Sequence, residues 1–118
     1  MRLPSRLHIK ASREFARIKK EGSTQPGRFL VVSVVRDAAE VGFRFGLVTT
    51  RKIGGAVARN RVRRLFREVI RDSQDRLVPG LLVVLIARWR APEATLEELK
   101  RDWLKTATRA GILRAEKP

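Results

Sequence analysis

Residues 59–71, RNRVRRLFREVIR, place six arginines in thirteen positions, yet the apolar residues around them are spaced for burial. Ala58, Val62, Leu65, Phe66, Val69 and Ile70 recur at three- and four-residue steps and so define one stripe of an α-helix. At about 100° per residue, Asn60, Arg64, Arg67 and Arg71 fall on the opposite side, with Arg61 and Arg63 on its flanks. One face must therefore lie on a core while the other is a row of guanidiniums offset only by Glu68. Like charges at i, i+4 (Arg59 and Arg63, Arg63 and Arg67, Arg67 and Arg71) destabilise an isolated helix by roughly a few tenths of a kcal/mol each. A polyanion reverses that penalty, because every phosphate neutralised releases counterions. The bland alternative, a merely solvated basic face, fits less well, since solvated helices mix signs and here Arg51 and Lys52 precede six more arginines.

The rest of the chain shares this bias. Its 118 residues carry 27 Lys and Arg against 12 Asp and Glu, a net charge of +15. Such an excess repels itself in the compact state and calls for a polyanionic partner. Twenty of the 27 cations are arginine, suited to bidentate phosphate contacts and to stacking on bases. A hydrophobic content of 43% excludes a disordered basic tail, and the length suits one domain. No cysteine is present, which removes disulfides, thiolate metal sites and cysteine nucleophiles together. The longest apolar run, LLVVLIA at 81–87, is strand-sized, and MRLPSRLHIK lacks the apolar core of a secretory signal. A cytoplasmic protein without a membrane partner is expected.

Hydrophobic periodicity orders the remaining elements. Residues 12–21 form a short helix with Ser12 as cap, Phe15 and Ile18 one turn apart, and Gly22 as stop. FLVVSVV (29–35) is a β-branched strand, with a further short strand near 22–28. FRFGLVTT (43–50) alternates, with Phe43, Phe45 and Leu47 on one face and Arg44, Gly46 and Val48 on the other. It is expected to pair with 29–35 as a hairpin. LLVVLIAR (81–88) is continuously apolar, hence a central strand buried on both faces. A last helix over about 93–109 has Leu96, Leu99, Trp103 and Ala107 as its core stripe, with Glu93, Glu97 and Glu98 in its first turn. The result is an α+β fold, a small two-layer sandwich of a four-stranded mixed sheet and about three helices.

Protein-borne catalysis finds no support in this pattern. The single histidine, His8, has no partner at a catalytic spacing. Asp37, Glu40, Asp72, Asp75 and Asp102 are explained by solubility and helix dipoles better than by the converging carboxylates of a two-metal nuclease. RKIGGAVARN lacks the lysine placement of a nucleotide-binding glycine loop. A second basic cluster, Arg2, Arg6, Lys10, Arg13, Arg17, Lys19 and Lys20, reads equally well as a solvated arm. Trp89, between Arg88 and Arg90, could stack a base, but packing is the expectation for a tryptophan at a strand end.

The stretch RFGLVTTRKIGGAVARNRVRRLFREVIR, residues 44–71, closely resembles the signature of the bacterial ribonuclease P protein family. The marks are Arg51 and Lys52, Gly54, Ala56 and Val57, then Arg59, Asn60 and Arg61 leading the arginine-rich helix. Leu7, Phe15, Gly22 and Phe29 stand at the family's flanking positions, and RLVPGLLVVLIAR resembles its Pro-Gly turn and last strand. The likeness covers about residues 4–109 of the single domain. It implies an αβββαβα order with a left-handed crossover around the basic helix, where right-handed is the general rule. It further implies a protein that binds the catalytic ribonuclease P RNA and the 5′ leader of precursor tRNA while the RNA carries the chemistry. Mg2+ is then bound chiefly by the RNA, no metal or catalytic residue belongs to the protein, and no obligate protein partner is needed. The resemblance assigns Arg51, Lys52, Arg59, Asn60, Arg61, Arg63, Arg64, Arg67 and Arg71 to the catalytic RNA. It assigns Phe15, Arg13, Lys19 and Val32 to the leader, the last two standing where the family often has further aromatics. Gly55 replaces a usual asparagine. Charge alone would also admit a ribosomal protein or RNA chaperone. A freestanding nuclease would need a carboxylate cluster, and a DNA reader a helix-turn-helix pair.

Overall fold

The computed structural model describes residues 7–9, 12–37, 39–40 and 42–114. Arg2, Arg6, Lys10 and the capping side chain of Ser12 lie outside them. The elements follow the expected order: α1 (Ser12–Glu21), β1 (Ser23–Pro26), β2 (Leu30–Arg36), β3 (Phe43–Val48), α2 (Ala56–Ser73), β4 (Leu81–Ala87) and α3 (Leu96–Ala110). The four strands form one mixed sheet in the order β1-β2-β4-β3.

The expected hairpin between β2 and β3 does not form. β4 inserts between them, antiparallel to β2 and parallel to β3. The physical reason lies in the side chains. Leu81 to Leu85 are all buried, so β4 takes the position where both faces and both edges are covered. The alternating β3, which carries Arg44, tolerates an edge. Residues 7–9 partly cover that edge, with the Ile9 amide donating to the Phe45 carbonyl at 2.7 Å.

Strand alternation divides the apolar side chains between two faces. Leu30, Val32, Val34, Phe45, Leu81, Val83 and Leu85 meet α2 and α3 through Val62, Phe66, Val69, Ile70, Leu99, Trp103 and Ala107. On the other face Val35, Leu82 and Val84 meet Ile9 and Ile18, with Phe15, Val48 and Ile86 half-buried beside them. α1 thus occupies one face and the basic helix the other.

α3 starts at Leu96 rather than near 93. Pro92 lies in a separate one-turn 3-10 helix, Ala91–Glu93, and Thr95 then begins a new helix with a reciprocal cap. The Glu98 amide donates to Thr95 Oγ1 at 3.1 Å, and the Thr95 amide donates to Glu98 Oε1 at 3.0 Å. Those bonds, first the Thr95 backbone N–H, hold the Glu98 carboxyl below its ordinary range.

Asp102 also departs from expectation. It is buried and accepts from the backbone amides of Arg28 (2.8 Å), Phe29 (2.8 Å) and Leu30 (3.2 Å), clamping the β1–β2 corner to α3. Gly27 permits this approach, since a Cβ there would lie 2.6 Å from Thr106 Oγ1 and 2.8 Å from the Asp102 carboxylate.

Candidate nucleic-acid interface

The apolar stripe of α2 is buried as its spacing requires, which turns Asn60, Arg64 and Arg67 fully outward. Arg59, Arg61, Arg63 and Arg71 are half-buried along its flanks. Their commitments differ. Arg61 donates to the carbonyls of Pro92 (2.8 Å) and Ala94 (3.3 Å), tying α2 to the turn after β4. Arg59 donates to the Gly54 carbonyl at 3.0 Å. Arg71 pairs with Glu68, the one acidic residue among these arginines. That hydrogen bond lowers the Glu68 carboxyl and raises Arg71 further. The side chains of Arg63, Arg64 and Arg67 have no ion pair or hydrogen bond within the described residues.

Arg51 and Lys52 are exposed on a 3-10 turn that joins β3 to α2. Thr50 Oγ1 accepts from the Lys52 amide, and Ile53 anchors the turn in the core. Gly54, at φ 136°, supplies a backbone conformation that side-chain-bearing residues rarely adopt. Gly55 is the N-cap of α2 and offers it no side-chain acceptor. The row of cations is therefore continuous from the end of β3 along the outer face of α2.

The opposite face of the sheet carries a shallow apolar groove. Arg44 pairs with Glu14 of α1, with one bond at 2.9 Å, and also approaches Glu40, an arrangement that raises its pKa. This staple holds α1 so that Phe15 lies over β3 at Gly46, where a Cβ would come within 2.6 Å of the ring. Beyond Phe15, the register aligns Val31 with Ile86 and Ile86 with Val48, a half-buried row across β2, β4 and β3. Val32 is not part of it. It is fully buried against α2 and α3 because strand alternation sends it to the other face. Val31 takes the groove position instead. Lys19 is exposed one turn after Phe15, whereas Arg13 projects from the far side of α1 and does not join the groove.

The two regions meet around the edge of β3. A cavity of about 200 Å³ is lined by His8, Ile9, Phe15, Phe45, Gly46 and Leu47 together with Arg63 and Arg67. The sequence offered Gly46 as a signal, a lone glycine inside an alternating strand. Nothing in it announced that Phe15 and two α2 arginines share one hollow. Among the described residues no cluster of three His, Asp or Glu is placed to hold a metal ion, and no helix is long and apolar enough to cross a membrane.

The structure is that of a small basic α+β protein with a bared arginine helix, a surface suited to a polyanion. The family model for ribonuclease P matches residues 3–111. The ribonuclease P protein component of Syntrophomonas wolfei is 33% identical over 110 residues, covering 93% of this chain and 92% of the relative. That of Bacillus cereus is 35% identical over 109 residues, covering 92% and 95%. Among solved structures, the Staphylococcus aureus RNase P protein superposes with a TM-score of 0.85 at 26% identity, over 92% of this chain and 98% of the other. The Thermotoga maritima RNase P protein gives 0.74 at 27% identity, over 92% and 96%. The chain belongs to the ribonuclease P protein family and is thus a protein subunit of ribonuclease P, the tRNA-processing nuclease.

Proposed function

We propose that this subunit binds the catalytic RNA of ribonuclease P along α2 and the 5′ leader of precursor tRNA in the Phe15 groove, leaving the chemistry to the RNA. The observation that carries it is the outer face of α2. Arg64 and Arg67 lie exposed there with Arg63 on the adjoining flank, the α2 arginines without a side-chain partner among the described residues, continuous with Arg51 and Lys52. Guanidiniums neutralise RNA phosphates that would otherwise hold cations, so the RNA folds and docks substrate at lower Mg2+. Mg2+ itself is assigned chiefly to the RNA. Asn60 and Arg59 extend the contact, while Arg61 ties the helix to the turn after β4 and Arg71 is engaged by Glu68 within the helix.

The groove supplies the substrate contact. Its half-buried valine and isoleucine row and the Phe15 ring suit an extended single strand whose bases pack on apolar surface while Lys19 faces its backbone. The cavity shared by Phe15, Arg63 and Arg67 makes leader and catalytic RNA near neighbours. No obligate protein partner is required, and the cytoplasm is the compartment that holds both RNAs.

Cleavage of a leader-bearing precursor tRNA at low magnesium tests the assignment, using protein alone, species-matched catalytic RNA alone, and both. Activity restored only by the mixture is expected. Cleavage by protein alone would put the chemistry on the polypeptide, and no stimulation of the RNA would leave a basic RNA-binding domain of another assembly.

The groove has its own test. Phe15→Ala is expected to weaken holoenzyme binding of precursor tRNA about five- to tenfold, with mature tRNA nearly unaffected, the loss of about one stacked base. Equal losses for both tRNAs would place the leader elsewhere.

A further inference from the structure

Two large apolar side chains remain in solvent among the described residues, Val57 at 86% exposure and Trp89 at 67%. Both lie at one end of the sheet, because β3 runs towards α2 and β4 towards Trp89 in parallel, with Val48 beside Ile86. Packing was expected for Trp89, and the fold denies it. The Ala91 amide donates to the Arg88 carbonyl at 2.9 Å, closing a tight turn with Trp89 and Arg90 at its corner positions.

That turn is pinned on both sides. The Arg88 amide donates to the Phe29 carbonyl at 2.9 Å, and its guanidinium to the Gly27 carbonyl at 2.7 Å. Ala91 is fully buried, and Arg61 of α2 holds the Pro92 carbonyl. An indole presented on so constrained a support loses little freedom when it is covered. The Arg90 guanidinium lies 5.8 Å from the ring centroid, and Arg88 and Arg28 flank the same corner. Arginine and tryptophan are both common in protein–protein interfaces, but a chain of net charge +15 selects a polyanion over a neutral protein surface. An aromatic ring beside arginines matches the way single strands are held, with base on ring and phosphate on cation.

We propose that Trp89 is a stacking platform for one unpaired base of bound RNA, with Arg90 exchanging its 3.7 Å pairing with Glu93 for the adjoining phosphate. This site is separate from the Phe15 groove and from the outer face of α2, and it rests on the preceding section only in taking RNA as the partner. Paired RNA does not fit, since a duplex keeps its base faces stacked inside the helix.

Fluorescence isolates the site. The chain has two tryptophans, and Trp103 is 1% exposed, so acrylamide quenching reports on Trp89. A short oligouridylate is expected to quench Trp89 emission and to shield the remainder from acrylamide, whereas an RNA duplex shields it little. Trp89→Ala should bind the oligouridylate about tenfold more weakly and Trp89→Phe within about twofold of the parent, all three binding the duplex alike. Undiminished acrylamide access at saturating oligouridylate, or full affinity in Trp89→Ala, would overturn the proposal. Low-magnesium cleavage separates it from the ribonuclease P assignment. Rescue of cleavage with Trp89 still open to acrylamide sinks the platform alone. A shielded Trp89 without any rescue keeps the platform and sinks the assignment.

Discussion

Replacing Asp102 with alanine is expected to destabilise the fold by about 3–5 kcal/mol, a large share of the roughly 5–15 kcal/mol that holds a domain of this kind together. The carboxylate accepts from three consecutive backbone amides at the corner between β1 and β2. Alanine leaves these donors without an acceptor where water has little access, and each stranded donor costs about 1–3 kcal/mol. Asp102→Asn keeps one acceptor oxygen but turns an amide group towards amide donors, so an intermediate loss is expected. Urea unfolding of the two variants against the parent measures this directly. A midpoint change worth under about 1 kcal/mol for Asp102→Ala would mean that the corner is held by other contacts. The same corner accepts the amide and guanidinium of Arg88, so loosening it should also free the Trp89 turn.

Asp102 illustrates what the sequence displays and what it conceals. Periodicity reports which face of a helix is buried, and α2 and α3 pack through the stripes that their spacing defines. It treats a buried carboxylate and a solvated one alike, because the difference lies in partners 72 to 74 residues away. The sheet order is a similar case. Alternation marked β3, and continuous apolarity marked β4, but a local pattern suggested pairing in chain order. The insertion of β4 depends on which strand most needs cover on every side. The groove residue was placed one position off, at Val32 instead of Val31, since only strand register reveals which of two adjacent valines faces α1. Trp89 failed in the opposite sense. A tryptophan at a strand end is ordinarily packed, and here a pinned turn holds it outside.

Along α2, the structure ranks arginines that the motif left equal. Exchanging Arg64 and Arg67 together for glutamate is expected to weaken binding to the catalytic RNA by about two orders of magnitude and to remove the rescue of cleavage at low magnesium. Both side chains are exposed, and neither serves any bond within the described fold. Their substitution should therefore leave the unfolding midpoint close to that of the parent. The double alanine variant separates lost attraction from added repulsion. If each arginine neutralises one phosphate, the slope of log K against log salt should flatten by about 1.4–1.8. Arg61→Ala makes the opposing case within the same motif. Its guanidinium already spans the carbonyls of Pro92 and Ala94, so its loss should cost about 1.5–3 kcal/mol of stability while changing the salt slope by much less. An Arg61 variant with a normal melting curve and a strongly flattened slope would reverse this ranking. An unchanged slope in the Arg64 and Arg67 double alanine variant would show that the outer face of α2 is solvated in the holoenzyme, and the RNA would have to be docked elsewhere.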